Sequence, residues 1–451
     1  MRRYASPIAG VLLALAGCDE SVTPPEPGPP AIDVQLRQIM ANWGVVPIGT
    51  MPEQDPALVE LGRALFFDKV LSGNRDISCG TCHHPATSLG DALPLAVGTG
   101  GTGVGASRLP GPGREFVSRG APSLLNAGLG TPYLFWDGRL CRFGPGFCQI
   151  NDGPALPTSI TNPLVAQAML PVVTRNEMLG NPGDTDVLGN PNELAAFAPG
   201  QETEIWQALM QRLLAIPEYV ALFDAAYPGK PASVLRFEDA ALALATFQRQ
   251  AFTMTLSPFD RYLDRDDTAL NAVQKRGALL FFGEARCGSC HNGAFLGGQS
   301  FANVGAPQIG PGGRSEPPLD LGRGELQDND FYRFAFRVAP LRNVELTAPY
   351  MHSGAYPTLE AVVRHYDDVP EALRSYDVAE NAAALADSYH GDDATIAAVL
   401  TTLDHQVRTP LDLTDAEMQD LVAFLKSLTD PAARDLRSLL PARVPSGLPV
   451  Q

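Results

Sequence analysis

A five-residue pattern occurs twice in this chain and constrains everything it can fold into. Cys79-Gly80-Thr81-Cys82-His83 returns as Cys287-Gly288-Ser289-Cys290-His291. Two cysteines three positions apart can form thioethers to both vinyl groups of one porphyrin, and the histidine that follows then lies beneath the iron as proximal ligand. The pattern predicts two covalently bound haem c groups. CxxC pairs also build structural zinc sites, but the histidine is in place both times and the approach to each motif matches. Gly62-Arg63-Ala64-Leu65-Phe66-Phe67 precedes the first motif, and Gly277-Ala278-Leu279-Leu280-Phe281-Phe282 precedes the second. The fold expected is mainly α, with two cytochrome c-like haem domains related by an internal repeat and long Gly/Pro-rich loops.

The opening residues read as a secretory signal: Met1-Arg2-Arg3, then an apolar run from Ile8 to Leu15 that is too short to span a bilayer. Leu15-Ala16-Gly17-Cys18 is similar to a lipobox, which makes residues 1–17 the cleaved signal and Cys18 the lipidated first residue. An ordinary signal with an incidental cysteine is the simpler alternative. Residues 18–30 contain Thr23-Pro-Pro-Glu-Pro-Gly-Pro-Pro30, an extended tether. The expected location is the periplasm of a Gram-negative bacterium, with membrane contact through the lipid anchor alone. Of the seven cysteines, one takes the lipid and four take haem. Cys141 and Cys148 remain, and in an oxidising compartment a disulfide between them is expected, two free thiols being the alternative.

The 45% hydrophobic content suits an ordinary globule. A formal net charge of -17 disfavours nucleic acid and anionic lipid surfaces, and fits a basic or neutral protein partner. Helical spacing runs from Asp55 to Phe67, from Glu202 to Ala226, from Phe237 to Phe252 and onward from Thr268; Thr414-Asp-Ala-Glu417 is a capping box ahead of a closing amphipathic helix. Gly98 to Gly103 is a near relative of a dinucleotide fingerprint, but no strand precedes it and no helical pattern follows. The expected division is an N-terminal haem domain over 31–255, a C-terminal haem domain over 256–440 and a tail over 441–451.

From about Leu58 to Leu428 the chain resembles the bacterial di-haem cytochrome c peroxidases and their MauG-type relatives. The resemblance rests on Leu61-Gly-Arg-Ala-Leu-Phe-Phe-Asp68, Phe135-Trp-Asp-Gly-Arg139, Ala339-Pro-Leu-Arg-Asn343 and Thr347-Ala-Pro-Tyr-Met-His-Ser-Gly354. It implies that Thr99 stands where the peroxidases carry a distal histidine, so the first haem, on His83, is open and high-spin. His84 is left as a hydrogen-bonding neighbour. It implies that Tyr366 stands where peroxidases have a distal methionine, as in MauG-type proteins, with His365, His352 and Met351 as competing ligands. A tyrosine oxygen is a hard anionic donor that favours the higher oxidation states of iron.

Further positions follow by the same resemblance. Trp136 is the relay between the haems, and Gln167, Pro171 and Glu177 line the open distal face, with Glu177 shuttling a peroxide proton. Calcium is expected at Thr347 and Pro349, although Gly120 replaces the asparagine that completes that site. Ala285 replaces a surface tryptophan used by MauG to reach its protein substrate. The implied activity is a hydrogen peroxide-driven oxidation through a bis-Fe(IV) state, acting on a periplasmic protein, most simply on a Trp residue. The alternatives are a cytochrome c peroxidase fed by a small cytochrome or cupredoxin redox partner, and a non-catalytic di-haem electron carrier.

Overall fold

The computed structural model describes residues 31–143, 146–150, 153–327 and 329–450, so the signal segment, Cys18 and the Pro-rich linker lie outside the described residues. Helices dominate. The strands among the described residues are short: a three-stranded antiparallel sheet of Tyr133–Leu134, Leu140–Phe143 and Gly146–Gln149, and a two-stranded one of Phe301–Ala302 and Phe336–Arg337.

Two crossed helix pairs deliver the chain to the two motifs. Asp55 caps Pro56–Phe67 by accepting the N–H groups of Ala57 and Leu58, and a proline at the first helical position forfeits no helical hydrogen bond. The buried face of this helix, Leu61, Ala64, Leu65 and Phe66, packs on Phe237–Ala251, with Gly62 so close to the Ala243 carbonyl that any Cβ would overlap it. Ala272–Phe282, capped by Asn271, packs on Asp415–Lys426, with Gly277 against the Asp420 carbonyl in the same manner. Phe66 and Phe67 meet Phe247 in the first pair; Phe281 and Phe282 meet Phe424 in the second. A separate hydrophobic core surrounds each crossing.

Two helix boundaries differ from the expectation. Thr268 does not open the second-unit helix, because its hydroxyl donates to Asp266 at 2.6 Å and the helix starts at Ala272 behind the Asn271 cap. The stretch from Glu202 to Ala226 is two helices, Glu202–Leu214 and Pro217–Ala226, since Pro217 has no N–H to continue the ladder.

The ends of the chain cross over. Ala31–Asn42 belongs to the second core: Lys275 pairs with Asp33 at 2.7 Å, the Tyr262 hydroxyl donates to Asp33 at 2.9 Å and the Trp43 indole donates to the Phe282 carbonyl at 2.8 Å. Leu436 and Val444 are buried in the first core, and the Ser446 hydroxyl donates to Asp68 at 2.6 Å. Each terminal segment thus packs on the unit opposite to the one its place in the sequence suggests. No helix among the described residues is long and apolar enough to cross a membrane.

Candidate active site

Each cysteine motif closes a tight turn. Cys79–Cys82 is one helical turn with a Ser78/Thr81 capping box, and the His83 N–H donates to the Cys79 carbonyl at 2.9 Å. Cys287–Ser289 is a short 3-10 turn, with the His291 N–H on the Cys287 carbonyl, also at 2.9 Å. Both rings donate Nδ1–H to a carbonyl at 3.0 Å, His83 to Leu89 and His291 to Leu296. A carbonyl only accepts, so the lone pair of each ring lies on Nε2, where a metal-ligating histidine needs it. Burial pushes both imidazoles down to about 4, and both are neutral at pH 7.

The four motif cysteines are free of disulfides, and burial pushes the Cys79 and Cys287 thiols up to about 12. Among the described residues no three His, Cys, Asp or Glu side chains converge as a metal cage. One largely apolar cavity of about 890 Å³ is lined by both motifs. Paired thiols and a neutral imidazole with its lone pair on Nε2, present at both motifs, together with the apolar cavity that both line, fit haem c at both motifs.

On the side of the first motif, Trp136, Gln167, Pro171 and Glu177 all border the cavity. Gln167 projects from Pro163–Met169, and Glu177 from the single π-helical turn Arg175–Leu179. Burial pushes the Glu177 carboxyl above its ordinary value, opposed by the Arg139 guanidinium. Thr99 is buried and turned away: its hydroxyl donates to Asp76 at 2.7 Å and its N–H to the Glu177 carbonyl at 2.8 Å. Gly98 makes this close approach possible, because a Cβ there would overlap the Asn176 carbonyl. The loop therefore sets its backbone, and no ligating side chain, against the turn that carries Glu177.

On the side of the second motif, Tyr366 on Leu359–Asp367 borders the cavity. Burial raises its phenol, and the nearby Cys290 and Cys287 thiols raise it further. Thioether formation would remove the thiol contribution, and a cation at the oxygen would reverse the direction. His365, its neighbour, has both nitrogens engaged: Nδ1 accepts from the Tyr356 hydroxyl at 2.8 Å and Nε2 donates to the Val304 carbonyl at 2.7 Å. Met351 and His352 also border the cavity, with the His352 ring stacked on Phe336 at 3.6 Å.

Trp136 is linked through Gly120 to the second side of the cavity. Its indole N–H donates to the Gly120 carbonyl at 2.9 Å, while the Gly120 N–H donates to the His352 carbonyl at 2.8 Å. Arg119 bonds Asp137 at 2.6 Å and Asp320 at 2.7 Å, which ties the Trp136 turn to the second unit. Thr347 and Pro349 border the same cavity. Gly120, where a side-chain oxygen would complete a calcium site, supplies only backbone, and its carbonyl already serves Trp136. The residues present do not complete that site. Cys141 and Cys148 face each other on adjacent strands and are joined by a disulfide, with Cα atoms 5.0 Å apart.

No motif in the sequence marks Asp76, Arg119 or Asp320. Asp137 and Arg139 stand inside the Phe135–Arg139 run and were visible as neighbours of Trp136. Asp76 and Asp320 are isolated acids that no spacing marks.

Two CxxCH turns opening on one chamber, in a mainly helical frame, define a di-haem oxidoreductase. A family model described as di-haem cytochrome c peroxidase matches residues 56–268. Cytochrome c551 peroxidase of Pseudomonas aeruginosa is 35% identical over 297 residues, covering 65% of this chain and 67% of that protein. The methylamine utilization protein MauG of Methylorubrum extorquens is 30% identical over 387 residues, covering 85% and 82%. Among solved structures, a MauG-like protein associated with microbial copper homeostasis aligns with a TM-score of 0.58 at 25% identity, over 86% of this chain and 94% of that one. The diheme peroxidase BthA from Burkholderia thailandensis shares the fold, with a TM-score of 0.55 at 21% identity over 86% and 93%. The chain belongs to the di-haem cytochrome c peroxidase and MauG family of haem oxidoreductases.

Proposed function

We propose that this protein is a MauG-type enzyme that uses hydrogen peroxide to withdraw electrons from a partner protein, most simply from a Trp residue. Cys79, Cys82 and His83 would hold the haem that meets peroxide, and Cys287, Cys290, His291 and Tyr366 the haem that stores charge. When bound, the haems supply peroxide-bond cleavage and storage of the two oxidising equivalents. Glu177 moves a proton between the peroxide oxygens, Gln167 and Pro171 shape the face on which peroxide lies, and the Trp136 indole carries charge between the two halves of the chamber.

The observation that carries this reading is Tyr366: it borders the cavity beside the second motif, close enough to Cys290 and Cys287 for them to act on its phenol. Thr99, bonded to Asp76, supports an open position at the first motif. The two units, with matching Gly-in-crossing helices and Phe-Phe approaches, are read as one repeated cytochrome c-like element. The lipobox-like Leu15–Cys18 and the Cys141–Cys148 disulfide support a periplasmic, lipid-anchored enzyme. Calcium is given no role, because Gly120 leaves its site incomplete.

The competing reading is a peroxidase that draws electrons from a small cytochrome or cupredoxin, favoured by the 35% identity to cytochrome c551 peroxidase. Peroxide-dependent oxidation of Trp residues in periplasmic extract, read by peptide mass spectrometry, supports the first reading. Rapid peroxide-dependent oxidation of a reduced cytochrome with no protein modification would replace it with the second.

A further inference from the structure

Four arginines gather where the two units meet around the Trp136 turn, and two ionised aspartates answer them. Arg119 bonds Asp137 and Asp320, and Arg139 bonds the same Asp137 oxygen at 3.1 Å. Arg323 donates to the carbonyls of Asp137 and Gly138, both at 3.0 Å. Glu325, the third acid nearby, is pushed toward its neutral form by burial and by Asp320. Positive charge is in surplus at this junction.

Arg337 is where the surplus is least relieved. It stands on Phe336–Arg337 and borders the large cavity, and its side chain makes one described hydrogen bond, to the Tyr133 carbonyl at 3.0 Å. Its Nε is buried without a partner. Asp137, the acid with most influence on it, is bonded by Arg119 and Arg139 instead. Burial pushes Arg337 down to about 10, so it remains a cation at neutral pH. A buried guanidinium without an anion is costly. The cavity is the direction from which an anion can arrive.

Each haem carries two propionate carboxylates, and the planar guanidinium fork matches a carboxylate in shape and charge. We propose that Arg337 is a cofactor-anchoring residue whose guanidinium binds a haem propionate inside the cavity. The inference rests on the two-haem reading of the chamber. It also gives the anchor a second duty, because the Arg337 N–H donates to the Trp136 carbonyl at 2.7 Å. One residue thus connects the propionate to the turn that carries Trp136.

The test compares holoprotein Arg337→Gln and Arg337→Lys with wild type by haem content, spectroelectrochemical titration and the propionate bending band in resonance Raman spectra. Covalent attachment keeps the haem in each variant, so fewer than two haems per chain in the wild type would count against the di-haem reading and not against Arg337. The expected result in Arg337→Gln is a lower midpoint potential for one haem, since a cation beside it is lost, together with a displaced propionate band. Arg337→Lys restores the potential but not the band, because an ammonium keeps the charge and loses the fork. Unchanged potentials and bands in Arg337→Gln, or a midpoint potential in Arg337→Lys as low as in Arg337→Gln, would overturn the proposal.

Discussion

At Glu177, place and chemistry act on the same carboxyl. Burial disfavours its ionised form, and Arg139 offsets this only in part. A residue that takes a proton from peroxide must be ionised when peroxide arrives, so turnover rises with pH through the elevated pKa of Glu177 and levels off above it. Glu177→Gln keeps the shape and removes the proton acceptor. Stopped-flow measurement of peroxide consumption should show a loss of about 10²–10⁴-fold, a missing alkaline-rising limb and an unchanged resting spectrum. Loss of the resting spectrum would instead mean that Glu177 holds the turn together. Cys79, Cys82, Cys287 and Cys290 were readable because covalent chemistry dictates their spacing. Asp76, which holds Thr99 away from the cavity, was not readable, because only the folded loop brings the two together.

The helix crossings show how little side chain the fold tolerates at two points. Gly62 and Gly277 each sit where a Cβ would strike a carbonyl of the facing helix. Gly62→Ala and Gly277→Ala should each lower stability by about 1–3 kcal/mol. The two losses should add within about 0.5 kcal/mol, because the crossings lie in separate cores. Thermal unfolding of the single and double variants checks this; a neutral Gly62→Ala would mean that the helices shift apart freely. These helices were legible from apolar spacing and from caps such as Thr414 with Glu417, while Asn271 in place of Thr268 as a cap was decided by a competing bond to Asp266.

At the scale of the whole molecule, the crossed ends bind each half of the chain to the other. Residues 431–450 place Leu436 and Val444 in the first core and Ser446 on buried Asp68. Truncation after Asp430 should make the first unit a preferred protease target while the second stays protected, as limited proteolysis with mass spectrometry would reveal. Equal protection of both would show that the tail adds nothing. Position along the chain suggests the opposite unit for each end, and no local pattern says which core a terminal segment joins. The central claim, that one haem is open while the other is held by His291 and Tyr366, is tested most directly by low-temperature electron paramagnetic resonance of the ferric holoprotein, wild type beside Tyr366→Phe. The account predicts one high-spin and one low-spin haem in the wild type, and conversion of the low-spin signal alone in the variant. Two low-spin haems in the wild type, or a low-spin signal untouched by Tyr366→Phe, would contradict it.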